Sequence, residues 1–146
     1  MNRTERARTC FNSGYSCSQA VIAAFADDFG LDSDMALRIA GGFGGGMGGT
    51  GGTCGALSGA VMAIGLKYRG TGPAPSEERE ITYAKVKEAV HRFESVNGAR
   101  NCRDILGVPI DSPENAQYAR EQGLYDKYCP DCVRNAVIIL EEILDI

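Results

Sequence analysis

Apolar residues recur along this chain at the spacing of one face of an α-helix, and the strict alternation typical of strands is nearly absent. The segment from 16 to 30 shows the helical spacing clearly. Ser16 and Gln19 have the separation of a capping box, in which two side chains satisfy backbone N–H groups at a helix start. We therefore predict a helix that begins near Ser16 and ends near Gly30. Its apolar face is formed by Val21, Ile22, Phe25 and Phe29.

Further helices follow from the same spacing, with glycine and proline residues between them. The longest is capped by Ser76 after a break from Gly70 to Pro75, and it ends at Asn97 because Gly98 stops it. The other predicted helices cover residues 3–12, 33–40, 54–68, 102–106, 113–123 and 131–144. The last of these has an inward face of Val133, Val137, Leu140 and Leu144.

One segment between the predicted helices is unusual, because residues 41–53 contain nine glycines. Flexible linkers usually mix glycine with serine, whereas this segment contains Phe43 and Met47 and runs directly into Cys54. We expect an ordered loop whose glycines permit positive φ or close backbone approach. The chain is thus predicted to be all-α, one domain over residues 1–146, an irregular helical bundle with a glycine-rich loop.

Composition and charge exclude several classes of function. The formal net charge is −4 and no basic run is present, so nucleic acid is not an expected partner. No apolar stretch is long enough to span a bilayer and no secretory signal is visible, so we expect a cytoplasmic protein without membrane insertion. The glycine loop matches Gly-x-Gly-x-x-Gly, but no strand precedes it, so nucleotide binding is not expected. His91 is the only histidine, which leaves triad hydrolysis without support.

Six cysteines are the main anomaly of the composition. In a reducing compartment this number indicates metal binding or redox chemistry rather than a disulfide framework. Cys10 taken alone is best explained as a small buried apolar residue. The other five lie at or near predicted helix N-termini, where N–H groups and the helix dipole stabilise the thiolate, the reactive and metal-ligating form. They are Cys17, Cys54, Cys102, Cys129 and Cys132.

The last two of these cysteines form a Cys-x-x-Cys pair, Cys129 and Cys132. That spacing suits two ligands of one metal, or a dithiol that closes to a disulfide. The βαβ context of a thioredoxin motif is missing. The motif alone leaves metal binding, a dithiol and coincidence open.

The cysteine contexts, taken in order, resemble the C-GCAxxG-C-C family of redox-active proteins. The resemblance rests on residues 14–21 (GYSCSQAV), 41–47 (GGFGGGM), 54–65 (CGALSGAVMAIG) and 102–107 (CRDILG). A C-terminal cysteine followed by Val133, Ala136 and residues 140–142 completes it, so nearly the whole chain is covered. A region of the split-Soret cytochromes, which carry an iron–sulfur centre besides haem, is similar as well. Covalent haem is not expected, because this chain has no Cys-x-x-Cys-His site.

The resemblance implies redox activity without identifying a reaction, and it implies four key cysteines. Carried onto this chain, these are Cys17, Cys54, Cys102 and either Cys129 or Cys132, with Cys129 slightly preferred. Cys10 matches no position of the family pattern.

Three hypotheses follow, and whether the protein is an enzyme is left open. The first, ranked slightly above the second, is that these four cysteines bind a 2Fe–2S or 4Fe–4S cluster or zinc, with Gly52 and Gly55 contributing to the cofactor site. The second is a metal-free thiol–disulfide oxidoreductase or redox sensor, in which Cys54 attacks and Cys17, Cys102 or the final pair resolves. The third is a non-enzymatic helical module with inert cysteines. The expected partners are a redox protein and a second copy of the chain in a homodimer.

Overall fold

A computed structural model describes residues 1–73 and 75–146 of the chain. Over these residues the fold is all-α, as predicted, with eight α-helices and no strand beyond one isolated β-bridge. No helix in this part of the chain has the length and apolar character needed to cross a membrane. The helices are α1 Arg3–Asn12, α2 Cys17–Phe25, α3 Ser33–Ile39, α4 Gly55–Tyr68, α5 Ser76–Asn97, α6 Cys102–Leu106, α7 Pro113–Glu121 and α8 Leu124–Leu144.

Most predicted helix ends are confirmed by their capping contacts. The capping box of α2 is formed, because the Ser16 hydroxyl accepts from the Gln19 N–H while the Gln19 side chain accepts from the Ser16 N–H. A 3₁₀ turn, Ala26–Phe29, extends α2 as far as Gly30. At the start of α5, Pro75 and not Ser76 occupies the N-cap position. The predicted break before α5 includes Ala74, which lies outside the described residues.

The predicted start of the last helix is wrong. The spacing of apolar residues predicts a start near Asp131. Instead α8 begins after Gly123, whose φ of 68° ends the preceding segment, and Pro130 lies inside the helix. Cys129 and Cys132 therefore lie in the second and third turns of α8 and not at its N-terminus.

The core is built around the contact of α2 with α4, which α1, α5 and α8 surround. At Gly59 of α4, an added Cβ atom would lie 2.8 Å from the Ser18 carbonyl oxygen and 3.0 Å from the Val21 Cβ atom. The two helices thus approach backbone to backbone, which only glycine permits here. The inward face predicted for α8 is buried in this core, and a smaller apolar cluster lies beneath α7. That cluster contains Cys102, Leu106, Ile110 and Ala119.

The glycine-rich segment is an ordered loop, as predicted. Residues 45–49 all have positive φ, so the chain makes a left-handed turn there, with Met47 as its one non-glycine residue. The turn is closed by hydrogen bonds from the Gly51 N–H to the Gly45 carbonyl and from the Gly52 N–H to the Gly46 carbonyl, at 3.0 and 2.8 Å. Left-handed backbone costs other residues about 1–2 kcal/mol each, which explains the glycines.

Gly46→Ala should destabilise the protein much more than Gly49→Ala. Both residues have left-handed φ values, but a Cβ atom at Gly46 would lie 2.4 Å from the Gly52 carbonyl oxygen, whereas nothing lies within 4 Å of one at Gly49. Overpacking adds about 1–3 kcal/mol to the strain that both variants share. Chemical denaturation measures the difference, and equal losses in free energy of unfolding would contradict the packed loop.

Pro130→Ala should raise the free energy of unfolding by roughly 2 kcal/mol. An interior proline costs a helix about 3 kcal/mol, and its removal returns up to about 1 kcal/mol of chain entropy to the unfolded state. Pro113→Ala is the matched control, because Pro113 lies at the first position of α7, where proline is well tolerated. A gain for Pro113→Ala as large as that for Pro130→Ala would argue against the continuous α8.

Candidate functional site

Five of the six cysteines lie close together at one end of the bundle, although they come from four parts of the chain. Cys17 is the first residue of α2, Cys54 is the N-cap residue of α4, and Cys102 is the first residue of α6. Cys129 and Cys132 are three residues apart on α8, so they share one face of that helix. We call these five side chains the thiol cluster.

A short backbone pairing holds Cys54 beside Cys102. Thr53 and Asn101 form an antiparallel β-bridge between the end of the glycine loop and the residues that lead into α6. The Cys54 N–H donates to the Arg100 carbonyl at 2.8 Å, and the Cys102 N–H donates to the Gly52 carbonyl at 2.6 Å. The glycine loop therefore fixes the spacing of these two cysteines.

Two glycines bring Cys17 close to Cys54. An added Cβ atom at Gly55 would lie 3.1 Å from both the Phe43 carbonyl oxygen and the Ser18 nitrogen. At Gly44 it would lie 2.8 Å from the Ser16 Cβ atom. Because neither glycine has a side chain, the first turns of α2 and α4 abut with their N-termini on the same side.

The five thiols lie close enough to act on one another's pKa. Cys129 and Cys54 act on Cys17 as hydrogen-bond partners, and Cys132 and Cys17 act on Cys54 in the same way. Cys102 lies near enough for the charges of Cys17 and Cys132 to act on it. Cys17, Cys54, Cys102 and Cys132 are 9, 5, 8 and 3 % exposed, whereas Cys129 is half-buried.

The surroundings of Cys17 favour its thiolate form. Hydrogen bonds from Cys129 and then Cys54, with backbone N–H groups of Cys17 and Ala56, lower the pKa of Cys17 well below that of a free thiol. The hydrogen bonds to Cys132 and Cys17 raise the pKa of Cys54. The sequence favoured Cys54 as the attacking thiolate, and these contacts favour Cys17 instead.

The surroundings of Cys129 and Cys102 favour their thiol forms. The hydrogen bond to Cys17, followed by burial, raises the pKa of Cys129. Burial, followed by the charges of Cys17 and Cys132, raises the pKa of Cys102 to about 12. Among Cys17, Cys54, Cys102 and Cys129, the surroundings therefore favour the thiolate form at Cys17 alone.

Gly52 and Gly55 shape the site but are not the N–H donors found at a sulfur. The Gly52 N–H donates to the Gly46 carbonyl, and Gly55 provides the close approach described above. The backbone N–H groups that reach the Cys17 sulfur belong to Cys17 and Ala56. Sequence reasoning identified this segment and missed Ala56. A direct cofactor contact of Gly52 or Gly55 stays a prediction.

Three further residues of interest lie in different settings. His91 is exposed on α5, and Cys10 is half-buried on α1, where it packs against the main core outside the thiol cluster.

Tyr125, which the sequence analysis did not select, lies one turn before Cys129 on α8 and packs against the apolar cluster that contains Cys102. Burial and then the charges of Cys102 and Cys129 raise the pKa of its hydroxyl. A helix predicted to begin before Tyr125 would have placed this residue one turn from Cys129 on the same face.

A single bound metal ion needs several donor side chains at one point. Within residues 1–73 and 75–146, no group of three or more His, Cys, Asp and Glu side chains is placed to hold one.

Comparison with known proteins gives one match. Neither the curated proteins nor the solved structures that were compared contain a match to this chain. A family model described as "Putative redox-active protein (C_GCAxxG_C_C)" matches residues 15–143. The matched stretch contains all five members of the thiol cluster and leaves out Cys10. The chain therefore belongs to the C_GCAxxG_C_C family of redox-active proteins.

Proposed function

We propose that the thiol cluster binds an iron–sulfur cluster and that the protein acts in electron transfer or redox sensing. The observation that carries this proposal is the convergence of five thiols from four parts of the chain, four of them at least nine-tenths buried. Iron–sulfur clusters of the 2Fe–2S and 4Fe–4S types are held by four cysteine thiolates. The five cysteines of the thiol cluster supply these four ligands and one additional thiol.

Burial favours electron transfer over exchange with a protein substrate. Thiol–disulfide exchange requires one sulfur to attack another directly, so the reacting thiol must be reached. Cys17, whose pKa the surrounding groups lower, is 9 % exposed. An electron, by contrast, can leave a buried centre without any sulfur of a partner entering the protein.

The number and type of the donor side chains are those of an iron–sulfur cluster. A lone zinc ion in a structural site needs four ligands at one point, and the described part of the chain has no group of even three so placed. In an iron–sulfur cluster four cysteine thiolates are shared among several irons. The ligands would be Cys17, Cys54 and Cys102 with Cys129 or Cys132.

The surroundings suit such a group as well. It would supply one-electron chemistry, and hydrogen bonds to its sulfurs raise the reduction potential. This chain offers the N–H groups of Cys17 and Ala56 at the Cys17 sulfur. The protein that would exchange the electron is not identified by these residues.

A metal-free dithiol mechanism is the second candidate, and the direct contacts of Cys17 with Cys54 and Cys129 favour it. In that mechanism Cys17 and one of these thiols form a disulfide, losing two protons and passing two electrons to an oxidant such as a small disulfide. In the reverse step a reductant would return two electrons to the disulfide, and two protons would restore both thiols.

Protein purified without oxygen should be coloured and should contain about two or four iron atoms with equal sulfide per chain. Cys54→Ser should lose most of the iron, because it removes a buried ligand. Cys10→Ser is the matched control and should keep it, since Cys10 lies outside the thiol cluster. Colourless protein with six reactive thiols that fall by two on mild oxidation would reject the proposal in favour of the dithiol mechanism.

In metal-free protein, Cys129→Ala should raise the pKa of Cys17, because it removes the strongest hydrogen bond to the thiolate. Ultraviolet thiolate absorbance measured against pH reports the change, and Cys10→Ala should leave the curve unmoved. Since folding lowers the pKa of Cys17, its contribution to stability is complete above the unfolded value of about 8.5. That contribution is lost as pH falls through the folded pKa. An unchanged curve for Cys129→Ala would contradict the Cys17–Cys129 contact.

A further inference from the structure

A groove of about 580 Å³ opens between α2, α3 and the C-terminal half of α4. Its volume lies within the range of about 300–1,000 Å³ that is typical of sites for small molecules. Cys54 caps the N-terminus of α4, whereas the groove extends past the C-terminal end of that helix to Thr71. The groove is therefore separate from the thiol cluster.

The walls of the groove are apolar and partly open to solvent. Ile22 of α2 and Ala36 of α3 are buried in it, while Ile39 and Leu66 are 56 and 40 % exposed. Ligand sites are usually concave and mostly apolar, with a few polar groups that fix the orientation of the ligand. An apolar chain would cover the exposed walls of this groove.

Gly65 leaves room in one wall of the groove. It lies within α4 and lines the groove, and an added Cβ atom there would meet no neighbouring atom of the described residues within 4 Å. Gly55 and Gly59 of the same helix differ, because they abut Ser18. Glycine weakens a helix relative to alanine. Since close packing does not require glycine at this position, its visible effect is to keep the groove open.

Arg69 is the one charged side chain among the described residues that line the groove. Its Nε atom is buried and has no hydrogen-bond partner in the described part of the chain. The Glu78 Oε1 atom lies 3.5 Å from that nitrogen, which is longer than a hydrogen bond, and it already accepts from the Gly70 N–H. The Arg69 side chain is 33 % exposed, so an anion in the groove can reach its guanidinium.

We propose that this groove binds the anion of a fatty acid. The alkyl chain lies along the apolar walls over Gly65, and the carboxylate accepts hydrogen bonds from the Arg69 guanidinium, whose fork of donors matches a carboxylate. An apolar segment of a second copy of the chain would fill the same walls but would cover the Arg69 donors without offering an acceptor, which is costly. The proposal is independent of the iron–sulfur proposal.

The test titrates octanoate into the full chain and follows backbone amides by nuclear magnetic resonance. Saturable shifts should appear around Gly65, Leu66 and Ile39, which line the groove. Octyltrimethylammonium, which has the same alkyl chain and the opposite charge, should bind at least about tenfold more weakly, because its head group is repelled by Arg69. Equal affinity for the two compounds, or no saturable shift at these residues, would overturn the proposal.

Two arginine variants test the head-group contact. Arg69→Gln should weaken octanoate binding at least about tenfold and should not weaken binding of octyltrimethylammonium. Arg92→Gln is the matched control, because it removes an arginine that lies on α5 outside the groove. Equal loss of octanoate affinity in both variants would show a general effect of net charge and would contradict the contact with Arg69.

Two groove variants test the position of the alkyl chain. Gly65→Leu should abolish saturable octanoate binding by filling the open wall, and its thermal midpoint should not fall below that of the original protein. Ile39→Glu should also weaken binding severalfold, and this change leaves the core intact because Ile39 is exposed. Octanoate binding that survives in both variants would place the ligand elsewhere and overturn the proposal.

Sedimentation and iron content separate the remaining outcomes. A dimer that Gly65→Leu dissociates and octanoate leaves intact would show a second copy in the groove and overturn the proposal. Gly65→Leu should contain as much iron per chain as the original protein, because the groove and the thiol cluster lie apart. Failure of octanoate binding would therefore leave the iron–sulfur proposal standing, and absence of iron would leave the fatty-acid site standing.

Discussion

The thiol cluster depends on a backbone contact between α2 and α4 that leaves no room for a side chain. At Gly59 and Gly55 of α4, added Cβ atoms would lie 2.8 Å from the Ser18 carbonyl oxygen and 3.1 Å from the Ser18 nitrogen. Ser18 is itself fully buried, and its hydroxyl donates to the Ala40 carbonyl at 2.9 Å. Because this contact is tight, the N-termini of both helices meet, and Cys17 and Cys54 lie side by side.

The same contact also governs the electrostatics of the site. A buried thiolate is costly unless hydrogen bonds compensate for the water it has lost. Here the N–H of Ala56, in the first turn of α4, reaches across to the Cys17 sulfur at the start of α2. Two neighbouring thiols add further hydrogen bonds. A shift of α4 away from α2 would therefore have two effects. It would separate the sulfurs of Cys17 and Cys54, and it would remove part of the hydrogen bonding that stabilises the Cys17 thiolate.

The helices and the ordered loop could be predicted from the sequence, because local chemistry determines them. The capping box at Ser16 and Gln19 and the stop at Gly98 act within one or two turns. The start of α8 was predicted too late, because its apolar face begins at Val133 and the turns before Pro130 carry no comparable local signal. Packing of α8 against the core overrides the cost of that proline.

The site could be predicted only in part. The sequence named the five cysteines from their contexts, and one face of α8 brings both Cys129 and Cys132 to the thiol cluster. Which thiol carries the charge depends on contacts between residues distant in sequence. For the same reason the N–H of Ala56 and the position of Tyr125 required the folded structure.

The most direct test of the central claim is the X-ray absorption spectrum at the iron edge of protein purified without oxygen. An iron–sulfur cluster held by these cysteines predicts a first shell of sulfur alone, with iron neighbours in the second shell. Iron bound by oxygen or nitrogen without iron neighbours would contradict the account, as would the absence of bound iron.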